Sequence, residues 1–196
     1  MRWDELFADL EGQLEAELTA GEREEQVEEE RLRLGRLSLR DRISGIAGAA
    51  EPHRAVRLVL TNGDLLAVRT RTVGRDWIAG DLAEAADGAQ VVLPLAGIAA
   101  LVPTAAQLEP SLSPPVATSG ALTDRLGLAF VLRDLARRRR TVEVRTLSGV
   151  LTGTFDRVGR DHADLAVHAA DAPRRSSAVQ QLRLLPLTQL VVVIVR

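Results

Sequence analysis

Two short words occur twice in this chain, in the same order. Val73-Gly74-Arg75-Asp76 returns as Val158-Gly159-Arg160-Asp161, and Leu93-Pro94-Leu95 returns as Leu185-Pro186-Leu187. Looser matches flank them: Arg40-Asp41-Arg42-Ile43 with Thr123-Asp124-Arg125-Leu126, and Asn62-Gly63 with Ser148-Gly149. The spacing between copies drifts, as loop insertions produce. Identity of short words in one order reads as an internal duplication. A duplication restricts the fold strongly, because each copy must build the same small core from half the chain. With 196 residues there is room for two such units.

Between the repeated words the apolar residues alternate. Val56, Leu58 and Leu60 form one face of a strand, and the turn Thr61-Asn62-Gly63-Asp64 follows. Asn-Gly favours a type I′ hairpin turn, whose two central positions both need positive φ. Residues 65–72, 77–82, 91–95 and 98–102 read as four further strands. The second copy repeats this with strands over 142–147, 150–158, 162–168, 178–185 and 187–195. The predicted fold class is therefore α+β, mainly β with helices. Five short strands in a small unit favour two tandem small barrels, closed or nearly closed, since closure removes exposed edges. Gly153 and Gly159 are spaced for the bends such a barrel needs.

Helical patterns precede each unit. Residues 2–34 read as a long amphipathic helix with Trp3, Leu6, Phe7, Leu10 and Leu14 on one stripe, extended by Leu18 and interrupted at Gly21. From Glu22 to Glu30 nearly every side chain is charged, so that stretch is solvated. Gly35 ends the helix. A shorter helix is expected from Ser38 to Ala49. In the second copy Thr123 is placed to cap a helix reaching Ala136, with Leu126, Leu128, Phe130, Val131, Leu132 and Leu135 as its buried face. The expected domains are an acidic N-terminal helix over residues 1–37, a first barrel over 38–103, a Pro-rich linker over 104–120 and a second barrel over 121–196.

The second copy carries a family resemblance. Val142-x-Val144, Leu147-Ser148-Gly149, Gly153 and Asp161-His162-Ala163-Asp164-Leu165 resemble the first signature of Sm-like proteins, the LSm and Hfq group. The leading helix and the five-strand count agree with it. The second signature of that family is missing; Pro186-Leu187-Thr188-Gln189-Leu190 stands in its place. Where Sm-like proteins usually carry an RNA-contacting asparagine, this chain has Asp164, an acid that repels phosphate. The resemblance spans some 55 residues of each copy, is weaker in the first, and implies fold more than function.

Charge is distributed unevenly. Residues 1–51 carry 7 Arg and 14 acids, whereas residues 120–196 carry 13 Arg and 7 acids. The sharpest feature is the run Arg137-Arg138-Arg139-Arg140. Guanidinium forks suit phosphate, so the run, with Arg157, Arg160 and His162, is the candidate nucleic-acid contact. The competing reading is a helix end, where cations favour the dipole. Only 3% of residues are aromatic and none is Tyr, which leaves few platforms for base stacking; Trp77, at the head of a strand, reads as core.

No residues converge on a chemistry. The chain has no cysteine, and no Walker loop, Gly-x-Ser-x-Gly, His-Glu-x-x-His or Rossmann fingerprint is present. His53 and His168 carry no signal, and His162 beside Asp161 and Asp164 is a solvated turn rather than a metal site. Met1-Arg2-Trp3-Asp4-Glu5 is not a secretory start, and the longest apolar run, Leu190 to Val195, is far short of a membrane span. Arginine without lysine, with abundant alanine, fits the codon usage of a high-GC bacterium. The expectation is a cytoplasmic, non-enzymatic adaptor or assembly protein without cofactor, metal, small-molecule substrate or membrane partner. Its N-terminal helix would dock a protein partner or a second copy; nucleic-acid binding is the alternative.

Overall fold

The computed structural model describes residues 21–49, 54–85, 88–113, 122–171 and 175–195. They fall into two units, residues 1–38 and residues 39–196. In the first unit the described helix, α1, covers residues 21–35 and ends at Gly35 as expected. Residues 21–32 are exposed throughout, and Arg33 holds both carboxylate oxygens of Glu30 at 2.6 Å. The stretch bearing Trp3, Leu6, Phe7, Leu10 and Leu14 lies outside the described residues.

The second unit opens on a helix, α2 (Leu39–Ala47). Five strands follow: β1 (Ala55–Leu60), β2 (Leu65–Val73), β3 (Trp77–Leu82), β4 (Gln90–Pro94) and β5 (Ile98–Val102). The next helices are α3 (Ala105–Leu112) and α4 (Leu128–Arg137). Then come β6 (Thr141–Thr146), β7 (Gly149–Val158), β8 (His162–Val167), β9 (Gln181–Pro186) and β10 (Leu190–Val195). These lie close to the strands that the alternation predicts, because burial follows the pleat. In β1, Val56, Leu58 and Leu60 are buried while Arg57 is exposed.

All ten strands form one antiparallel sheet in the order β5-β1-β2-β3-β4-β10-β6-β7-β8-β9. This corrects the expectation of two separately closed barrels. Closing each half would pair β5 with β4 and β10 with β9. Instead β4 and β10 pair with each other, with Val92 opposite Val193 and Val91 opposite Ile194. That ladder consumes one edge of each half, and β5 and β9 are left as the sheet's two edges.

The duplication is written into the ladder. Order β5-β1-β2-β3-β4 recurs as β10-β6-β7-β8-β9. Arg71 is bulged out between Thr70 and Thr72, and Asp156 is bulged out between Phe155 and Arg157. The amide of Leu95 donates to the Asp76 carbonyl at 2.9 Å, and that of Leu187 to the Asp161 carbonyl at 2.8 Å. Each half also gathers its own core: Val56, Leu58, Ile78, Leu93 and Ile43 in the first, and Val144, Phe155, Leu165, Leu185 and Leu132 in the second. At the junction strand β10 neighbouring residues serve different cores. Val192 and Ile194 belong to the first, Val193 and Val195 to the second. A strand buried on both faces needs an unbroken apolar run, and Leu190-Val191-Val192-Val193-Ile194-Val195 supplies it.

Three local expectations need correction. First, the segment read as a linker contains α3. Its start is fixed by Gln107, whose side-chain oxygen accepts the Thr104 amide at 2.9 Å while its Nε2 donates to the Ala55 carbonyl at 2.9 Å. The helix lies so close to α2 that a Cβ on Gly45 would sit 2.3 Å from the Pro110 carbonyl oxygen. Second, Thr123 does not cap the long helix. Residues 122–125 make a separate 3-10 turn, and α4 is capped by Asp76, whose Oδ1 accepts the Leu128 amide at 2.8 Å. Phe130, expected in the buried face, is exposed. Third, the Asn62-Gly63 connection is a four-residue loop rather than a type I′ turn; Gly63 has φ of 88°, and Asn62 is not among the residues with positive φ.

Candidate functional site

The arginine run ends α4. Arg138 is the C-cap and Arg139 follows with φ of 52°. The Arg139 amide donates to the Ala136 carbonyl at 3.0 Å and that of Arg140 to the Leu135 carbonyl at 3.2 Å. This is a Schellman ending, which normally places glycine at the left-handed position. The four arginines therefore wrap a turn instead of forming one row. Arg137 and Arg138 both grip the carboxylate of Asp134, Arg138 at 2.6 Å. These hydrogen bonds hold the Asp134 carboxyl below its ordinary value. Two charges of the run are thus already engaged. A side chain in the left-handed region costs about 1 kcal/mol, so Arg139→Gly is expected to raise stability by about that amount, read from the denaturant midpoint at an unchanged m-value.

Arg138 and Arg140 also line a cleft of about 430 Å³ where the repeats meet. Its other walls include Arg71 of β2, Gln90 and Val92 of β4, and Asp134. Arg71 is itself paired with Asp81. The sequence could not bring Arg71 to this place, because nothing local marks it as a neighbour of α4.

Arg157, Arg160 and His162 lie elsewhere, around the β7–β8 turn, and all three are exposed. His162 Nδ1 is 2.8 Å from Asp161 Oδ1, and this hydrogen bond lowers the Asp161 pKa. The helix residue that reaches the turn is Arg133, which donates to the carbonyls of Val158 at 3.2 Å and Gly159 at 2.9 Å. Arg40 of α2 donates in the same way to the Gly74 carbonyl at 2.7 Å. Arg133 is thus a fastener between helix and sheet, and sequence reasoning missed it because it stands outside the run.

His168 is 2% exposed. Its Nδ1 lies 2.8 Å from the Ala169 carbonyl, and its Nε2 lies 2.9 Å from the Thr154 hydroxyl. A carbonyl only accepts, so Nδ1 carries the proton and Nε2 is free to accept from Thr154. Both nitrogens are spent on structure. His53 lies outside the described residues. Among the described residues no three His, Asp or Glu side chains converge as a metal requires, and no helix is long and apolar enough to cross a membrane.

An ion-pair cluster joins the first repeat's β1–β2 loop to β6. Arg145 donates to Asp64 and to Glu143, each at 2.9 Å, and the Asn62 amide donates to Asp64 at 3.0 Å. Asn62 first, then Arg145, hold the Asp64 carboxyl below its usual value. The native state then binds fewer protons than the unfolded chain at acid pH. The stabilisation is complete above the unfolded carboxylate pKa of about 4 and is lost as pH falls through the lower native value. Denaturant midpoints measured between neutral and strongly acid pH are expected to fall less steeply for Asp64→Asn than for the wild type.

A further surface feature is the edge strand β9. Leu182 and Leu184 are 62% and 69% exposed on its outward face, while Leu185 turns into the core. β8 is the strand to which β9 is hydrogen-bonded. A scan against protein-family models and searches of curated proteins and solved structures find no match for this chain.

Proposed function

We propose that this chain is a non-enzymatic adaptor or assembly protein that binds through the edges of its sheet and through an N-terminal docking helix. The observation that carries the reading is β9: an edge strand, paired on one side only among the described residues and presenting two exposed leucines, is the form of surface on which another chain adds. Each half is read as an Sm-like unit opened into a shared sheet. The leading helix and the strand order, met twice, support that reading. Trp3, Leu6, Phe7, Leu10 and Leu14 are the docking residues of the helix, and burying side chains of this size contributes about 1.5–3 kcal/mol each. Deleting residues 1–20 is expected to change the mass seen by light scattering or the proteins retained in a pull-down. An unchanged mass together with unchanged partners removes the docking role.

A second reading is nucleic-acid binding, favoured by the convergence of Arg71, Arg138 and Arg140 on one cleft. Its contacts would be Arg137, Arg138, Arg139 and Arg140, with Arg157, Arg160 and His162 on a separate surface. Binding of single-stranded RNA or duplex DNA would then weaken steeply with salt, by about 0.7–0.9 in log-log slope per phosphate contact. Affinity that ignores salt, or that survives replacing all four residues of the run by serine, rejects this reading.

A further inference from the structure

We infer that Asn62-Gly63 is a self-modifying site: Asn62 loses its side-chain amide as ammonia, and the carboxylate left behind opens the clasp that joins the two repeats. Asn62 is the only asparagine in the chain. Glycine follows it, the residue that least obstructs attack by its own nitrogen on the preceding side chain. A Cβ added to Gly63 would meet nothing within 4 Å, and Gly63 is exposed, so water reaches the reacting atoms. The equivalent loop of the second repeat carries Ser148-Gly149, which has no amide to lose. The chemistry needs no partner, so it stands whether or not the chain is an adaptor.

The loop holds the reacting groups in order. Asn62 Oδ1 accepts the Asp64 amide at 3.2 Å, the ring an asparagine side chain makes with its own backbone two residues on. When the Gly63 nitrogen attacks Asn62 Cγ, negative charge develops on that same Oδ1, where the Asp64 amide already points. Asn62 Nδ2 donates to Asp64 Oδ2 at 3.0 Å. The departing amine, which gains a proton from water as it leaves, therefore sits beside a carboxylate. The brake is the nucleophile. The Gly63 amide donates to the Leu60 carbonyl at 2.9 Å, and it must break that bond and yield its proton to hydroxide. The bond from Gly63 nitrogen to Cγ then forms, the Cγ–Nδ2 bond breaks, and ammonia leaves. One water opens the resulting cyclic imide. Attack at Cγ gives aspartate; attack at the backbone carbonyl of residue 62 gives isoaspartate, whose backbone is one methylene longer.

The product matters because of what Asn62 holds. Asp64 accepts from the Asn62 side chain at 3.0 Å and from Arg145 of β6 at 2.9 Å, while Arg145 also donates to Glu143 at 2.9 Å. Conversion replaces the neutral donor of this cluster by a charged acceptor, so three carboxylates then crowd Arg145. Like charges at this range repel, and the Asn62 side chain is the largest cause of the lowered Asp64 pKa. Isoaspartate adds a second fault. Its extra methylene falls inside the loop that the Leu60 amide closes on the Asp64 carbonyl at 2.8 Å. Beside it the Thr61 amide donates to the Gly97 carbonyl at 3.0 Å. Gly97 packs so closely on β10 that a Cβ there would lie 2.6 Å from the Val191 carbonyl oxygen. A disturbed loop thus loosens both the Arg145 clasp and the junction strand.

The test incubates the full chain at neutral and at mildly alkaline pH and then cleaves it after arginine, which releases residues 58–69 with the asparagine inside. That peptide is expected to split with time into aspartate and isoaspartate forms, separated by chromatography and mass. One ammonia is released per converted chain, at a rate that rises with hydroxide. Asn62→Gln, whose longer side chain would have to close a larger ring, is expected to stay unchanged. The converted chain, isolated by anion exchange, and the Asn62→Asp variant are both expected to unfold at a lower urea midpoint than the wild type. For Asn62→Asp the shift shrinks as added salt screens the carboxylates. A folded chain that keeps residues 58–69 intact, while the same chain held in guanidinium converts, overturns the site, since the loop's own hydrogen bonds then block the attack. A converted chain and an Asn62→Asp variant that both keep the wild-type midpoint overturn the opening of the clasp. If Asn62→Asp does not fold, the converted wild type carries the same comparison.

Discussion

Trp77→Ala is expected to remove about 3–5 kcal/mol of stability, the range for truncating a large buried aromatic. Trp77 stands at the head of a first-repeat strand but is 5% exposed inside the second repeat's core. Its Nε1 donates to the Leu126 carbonyl at 2.9 Å, next to the residues that start α4. Truncation opens a cavity and removes one of two donors to the Leu126 carbonyl, which keeps the Arg75 amide at 3.3 Å, and both effects act beside the helix that Asp76 caps. Urea unfolding followed by circular dichroism measures the loss. A single transition at lower midpoint is the expected form, since the damage falls where the two cores share structure. A loss below about 1 kcal/mol would mean that the core closes over the gap, and the tryptophan would not be an anchor of the junction.

Val193→Asp is expected to have a larger effect, more than about 4 kcal/mol, the level reached when an unpaired charge is buried. Val193 is 0% exposed, lies opposite Val92 on one side and Val144 on the other, and sits in an apolar cluster. The carboxylate can escape only by protonation or unfolding. The variant is expected to be unfolded or to aggregate at neutral pH and to recover part of its structure at acid pH, seen by circular dichroism. A folded variant at neutral pH, with a wild-type midpoint, would show that β10 is not sealed between two layers. The same charge on the edge strand β9, Leu184→Asp, falls on a site that is 69% exposed and is expected to cost little stability, so the two substitutions separate a sealed strand from an edge.

Strands were legible because the alternation is local. Val56, Leu58 and Leu60 declare one face within six residues, and Val73-Gly74-Arg75-Asp76 with its second copy declares the repeat. Pairing across the repeats was not legible. Whether β10 turns to β9 or to β4 depends on residues about a hundred positions apart, and closing a chain over that distance is decided by tertiary packing. One signal was present: the run from Leu190 to Val195 has no polar face, as a strand between two layers requires. In α3 the Pro-rich composition hid a Thr104-x-x-Gln107 start of the kind that nucleates helices. At the candidate site a helix end was only the competing reading of the arginine run, and the run's partition was not foreseen. Asp134, three and four residues before Arg137 and Arg138, was the local clue that two of the four charges were taken. Arg71 and the exposed leucines of β9 carry no local mark at all, since exposure on an edge is a property of what lies beside a strand.

β10 is also the last strand of the sheet to be synthesised, and both halves wait for it. Until it emerges the first core lacks Val192 and Ile194, and β4 offers a bare edge to whatever is nearby. Nascent chains close together on one messenger would hold that edge open at the same time, so a β10 from the wrong molecule can fill it and exchange halves between neighbours. Slow translation of the second repeat would lengthen this interval, and a chaperone that shields β4 would shorten its consequences.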